Sequence, residues 1–75
     1  MSFRVIAYSG SMGEQEPRSL VIDGERLSVL GVRDRWIDPK FKNFKVRASD
    51  GNIYLIRCDL SDLSWSLIKT WRQDS

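Results

Sequence analysis

Cationic and aromatic side chains crowd one stretch of this chain: Arg35-Trp36, Lys40-Phe41-Lys42, Lys45 and Arg47. Residues 33–47 hold six cations against Asp34 and Asp38, a local excess of +4, whereas the segments before and after each sum to −1. Tyr54 joins the group, because folding the chain back at Asp50-Gly51 sets it across from Arg47. Cations follow phosphates and flat rings stack on bases. Arg35, Trp36, Phe41, Lys45, Arg47 and Tyr54 therefore form a candidate ligand face suited to an anionic, base-bearing partner. The competing assignment is structural: Trp36 plugs one end of the fold, Phe41 folds over it, and the charges are solvated. An indole in so short a chain carries much of the available burial, so Trp36 taken alone is expected in the core.

Covalent chemistry finds little support. The chain has no histidine, which removes the commonest general base and the commonest zinc ligand together. Cys58 is the only cysteine. It falls at a strand end, with neither a histidine nor a helix N-terminus to lower its pKa, and reads as a small half-buried filler. Asp34, Asp38, Asp50, Asp59 and Asp62 lack the Asp-x-Asp-x-Asp-Gly spacing of a calcium loop, and there is no His-Glu motif. Ser9-Gly10-Ser11-Met12-Gly13 lacks the Lys-Ser/Thr ending of a phosphate-binding loop. The sequence points to a non-enzyme with no cofactor and no metal.

The elements that would position the candidate face are strands. Asp23-Gly24 and Asp50-Gly51 each interrupt runs of alternating apolar residues, the strongest short-range hairpin signal. A two-residue turn at Asp23-Gly24 sets Ile22 opposite Glu25 and Leu20 opposite Leu27, so Leu20, Ile22, Leu27 and Val29 share a face. Past Val29 the alternation changes phase to Leu30 and Val32, and a bulge at Gly31 accounts for it. A long strand bent there passes from one sheet to another, and Asp38-Pro39 ends it. The second hairpin, read with the same turn, pairs Ala48 with Ile53 and Val46 with Leu55. That pairing places Phe44, Val46, Ala48, Ile53 and Leu55 in the core, with Lys45, Arg47, Tyr54, Ile56 and Cys58 on the opposite face. Residues 3–8 make a first strand, and 9–17, rich in turn formers, a flexible loop. Residues 60–72 fit either a helical stripe or a strand, with a strand over about 65–71 favoured because the edge left by 52–58 needs a partner. The expected fold is all-β: one domain over 1–75, a small SH3-like barrel of five or six antiparallel strands built on two Asp-Gly hairpins.

Asp34-Arg35-Trp36-Ile37-Asp38-Pro39, Phe44-Lys45-Val46-Arg47, Asp50-Gly51-Asn52-Ile53-Tyr54-Leu55-Ile56-Arg57 and Trp65-Ser66-Leu67, in that order, carry a resemblance. The chain resembles an uncharacterised bacterial family of small β-domains, a domain of unknown function. Similar segments occur at the C-terminal end of Y-family DNA polymerase-like mutagenesis proteins. The resemblance spans residues 17–67, rests on turn and aromatic anchors, and implies a link to DNA repair without implying any catalytic residue. Where relatives often carry a histidine after the Arg of the second hairpin, this chain has Cys58.

The single cysteine, the short N-terminal apolar run and the lack of any 20-residue apolar stretch point to a cytoplasmic protein that does not enter a membrane. Its expected role is that of a non-catalytic protein-interaction module with a protein partner. The alternative is an accessory module that binds single-stranded or damaged DNA.

Overall fold

The two Asp-Gly corners both form, but they are built differently. In the computed structural model, which describes residues 2–9 and 15–73, the first corner joins β2 (Gln15–Ile22) to β3 (Glu25–Ile37). Asp23 and Gly24 both take positive φ, 50° and 85°, and Ile22 pairs with Glu25 and Leu20 with Leu27, as the two-residue turn requires. Ser2 clamps the corner: its N–H donates to Asp23 Oδ1 at 2.8 Å, and the Asp23 N–H donates to the Ser2 carbonyl at 2.9 Å.

The second corner joins β4 (Phe41–Ala48) to β5 (Ile53–Asp59) and uses three residues. The Gly51 N–H donates to the Ala48 carbonyl, the Ala48 N–H donates to the Asn52 carbonyl, and of Ser49, Asp50 and Gly51 only Gly51 has positive φ, 87°. This is a type I turn closed by a glycine bulge. The pairing moves by one residue from the two-residue expectation: Val46 meets Tyr54, Phe44 meets Ile56, and Leu55 meets Lys45. A one-residue slip turns a strand over. Tyr54, Ile56 and Cys58, expected outside, are therefore buried inside, and Leu55, expected in the core, lies half-buried on the other face. The expected register would have set Arg57 near Phe44 in the interior, and burying an unpaired guanidinium costs several kcal/mol.

β3 is 13 residues long and belongs to two ladders. Its first part pairs with β2 and the part from Val29 onward pairs with β4, with register shifts between Val29 and Gly31 and between Val32 and Asp34. The residues passed over are Leu30 and Arg33. Leu30, expected to enter the core after the phase change, is instead extruded and 63% exposed, while Val32 packs against the core.

β1 (Phe3–Ser9) precedes β2, and β6 (Trp65–Trp71) follows β5. The strand alternative for the last segment is the one that forms. β2 starts at Gln15, so Ser9 and Gln15–Pro17 are strand residues and not the loop expected over 9–17; residues 10–14 lie outside the described residues. Pro17 fits because the register of β1 with β2 shifts between Ile6 and Ala7, and a missing N–H is tolerated at such a bulge.

All neighbouring strands are antiparallel, in the order β1-β2-β3-β4-β5-β6, and no helix occurs among the described residues. The meander curls into a half-barrel of the small SH3-like kind. Leu20, Leu27, Phe44, Val46, Ala48, Tyr54 and Ile56 fill it, with Phe3, Val5, Ile22, Val29, Val32, Trp65 and Leu67 packed around them. No helix among the described residues is long and apolar enough to cross a membrane.

Candidate nucleic-acid interface

The outer face of β3–β6 carries the cations. Alternation along β4 puts Phe41, Asn43, Lys45 and Arg47 on the outer side, with Asn43 itself buried there, while Phe44, Val46 and Ala48 face the core. Cross-strand pairing extends this face: Lys45 stands between Asp34 and Leu55, Leu55 beside Lys69, Arg47 beside Ile53, and Ile53 beside Trp71. Lys69 and Trp71 share the face because the pairing of β5 with β6 slips between Leu55 and Ile56, leaving Ile68 without an opposite number. Trp65 and Leu67, before the slip, stay on the core side.

Two ammonium groups converge on one indole. Lys45 Nζ lies 4.7 Å and Lys69 Nζ 4.9 Å from the Trp71 ring centroid. Nearby, the Arg57 guanidinium lies 4.4 Å from the Phe41 centroid, and its Nε donates to Asn43 Oδ1 at 3.2 Å. Such contacts hold cations over ring faces at about 0.5–1 kcal/mol each in exposed sites. They leave the charge unneutralised, since Lys45, Arg47 and Lys69 make no ion pair among the described residues. Among the described residues, Asp34 and Asp59 are carboxylates on the same face.

Four of the six expected face residues come together here: Trp36, Phe41, Lys45 and Arg47. Trp36 is 44% exposed, so it neither plugs the barrel nor joins the core. Arg35 leaves the face. The second register shift in β3 pairs it with Phe44, and its Nη1 donates to Glu16 Oε1 at 2.6 Å. Tyr54 leaves too, because it points inward opposite Val46 and its hydroxyl donates to Asp50 Oδ2. Arg57, Lys69 and Trp71 were missing from the expected set. A two-residue turn at Asp50-Gly51 sets Arg57 near Phe44 and away from this face, and Lys69 interrupts the apolar alternation of residues 65–71.

The interior groups are structural. Burial, reinforced by the bond to the Asp50 carboxylate, pushes the Tyr54 phenol up. Folding therefore favours the protonated phenol, and its stabilising contribution is complete below the unfolded value of about 10 and lost as pH rises through the folded one. Tyr54→Phe is expected to cost about 1–2 kcal/mol at neutral pH and to remove that share of the alkaline decline. Urea midpoints of both proteins from pH 7 to above pH 10 measure this, and parallel curves would refute it. Asp38 goes the other way: the backbone N–H groups of Lys40 and Phe41 donate to Oδ1 at 2.9 and 2.8 Å and hold its carboxyl below the usual range.

Two cavities lie at the ends of the half-barrel. One of about 550 Å³, between the two Asp-Gly corners, is lined by Asp23, Asp50, Tyr54, Arg72 and others. The other, of about 410 Å³, lies between Pro39, Phe41 and Leu60. Neither brings Cys58 together with an activating base. What the outer face can do chemically is hold anions and flat rings. No protein-family model matches the chain, and comparison with curated proteins and with solved structures found no match.

Proposed function

We propose that this domain is a non-catalytic binding module whose outer face takes single-stranded nucleic acid. The observation that carries the reading is the pair of lysines over Trp71, in no ion pair among the described residues and continuous with Arg47, Arg57 and the exposed Trp36. Phosphates compete for ammonium groups that are held by a ring and not by a carboxylate, and the rings then offer stacking planes to bases. A setting in DNA repair and a cytoplasmic location, which the resemblance and the single cysteine suggest, belong to the same proposal.

The test is fluorescence titration of the three tryptophans with an oligothymidylate at low and high salt. Three phosphate contacts give a slope of log affinity against log salt of about −2. Lys45→Ala combined with Lys69→Ala is expected to weaken binding at least about tenfold, as loss of two such contacts should. No binding at low salt, or a double variant that binds like the parent, would overturn the proposal. A protein partner is the second reading, favoured by the incomplete cover of the core where β1 meets β6.

A further inference from the structure

The meander ends without closing. β1 lies near β6, yet among the described residues no ladder joins them, so each leaves a row of backbone groups without a strand partner along its outer edge. The core is thin along the same line: Phe3 and Val5 on β1, and Trp65 and Leu67 on β6, pack against it while remaining only half-buried. Ile6 and Ile68 are exposed on these strands. The seam thus combines free main-chain hydrogen-bonding groups with apolar surface that one more strand would cover.

Charge indicates what kind of strand. Neither β1 nor β6 contains a carboxylate, whereas Arg4, Lys69 and, just past β6, Arg72 are cationic. Like charges brought side by side disfavour joining two copies at this edge, and an edge lysine is a common guard against such pairing. The same lysine attracts a strand of opposite charge. Extending the face assignment of β6 by one strand puts the newcomer's inward side chains beside Trp65 and Leu67 and an outward one beside Lys69.

We propose that the β6 edge binds an extended partner segment in which apolar residues alternate with acidic ones, by strand addition. This rests on the protein-partner reading and shares only Lys69 with the nucleic-acid one. The probe is a synthetic peptide alternating valine with glutamate and long enough to span β6, added at millimolar concentration to the full chain. A second peptide with lysine in place of glutamate serves as the counterpart. Amide hydrogen exchange is expected to slow at least tenfold in β6 with the glutamate peptide and to stay unchanged with the lysine one. Lys69→Glu, an exposed substitution, should reverse that preference. Lys45→Ala should leave peptide binding intact while weakening oligothymidylate, so either reading can fail alone. The proposal is overturned if β6 gains no protection, if both peptides protect equally, or if protection follows protein concentration without peptide, which would make a second copy the occupant.

Discussion

Phe44→Ala is expected to remove most of the domain's stability. Phe44 is fully buried, sits between Arg35 and Ile56 in the pairing, and places its ring 5.7 Å from that of Trp65. It ties the interior of β4 to the inner side of β6. Truncating a buried phenylalanine costs about 3–5 kcal/mol. A 75-residue chain buries proportionally little surface, so its total stability belongs near the lower end of about 5–15 kcal/mol. One substitution therefore removes most of the margin, and at about 4–8 °C per kcal/mol the melting temperature should fall by at least about 12 °C. Phe41→Ala, on the outer face and half-buried beneath Arg57, is the matched control and should stay folded. Circular dichroism melts compare the two, and a Phe44→Ala melt within a few degrees of the parent would refute the assignment of the core.

Cys58 supplies the second large effect, as a built-in reporter of that core. It is 1% exposed, and burial, with the Asp59 charge beside it, pushes its thiol up. Thiolate is the reactive form, so the native protein offers alkylating reagents little access and a smaller share of thiolate. Reaction must wait for opening, and an opening free energy near 5 kcal/mol slows alkylation by about a thousandfold or more relative to the unfolded chain. Iodoacetamide labelling followed by mass spectrometry measures the ratio at pH 8. In Phe44→Ala the protection should collapse. Native labelling as fast as in denaturant would mean that the thiol is at the surface.

The first hairpin was legible because every cue agreed: Asp23-Gly24 demands a two-residue turn, and its register puts Leu20 opposite Leu27. The strand at 65–71 and the long bent strand were legible for similar reasons of β-propensity and phase change. The second hairpin carried the same dipeptide but folded differently. Asp50 there accepts from the Asn52 N–H at 3.0 Å, from Asn52 Nδ2 at 3.1 Å and from the Tyr54 hydroxyl, contacts that suit a type I turn with the bend at Ser49-Asp50. Dipeptide identity does not reveal such bonds. One clue was present nonetheless: the two-residue register drives Arg57 towards the interior, and the three-residue register puts Ile56 there.

The candidate face was half legible for a related reason. Lys45 and Arg47 alternate visibly with core residues along β4, so their side of the sheet follows from local pattern. Arg35 was misplaced by a slip at Arg33 that no glycine marks. Lys69 and Trp71 meet Lys45 only through β5, and only because Ile68 breaks the phase. Contacts made two strands away depend on each intervening slip, and an error at any one of them exchanges inside for outside.

β3 gives both halves of the molecule a common beam. Its leading part templates the β1–β2 side, its trailing part templates the β4–β6 side, and the two slips only bend it without interrupting the chain. Neither side can therefore come loose while the other keeps its shape, and heat or tension applied to one side should be felt as a single all-or-none collapse.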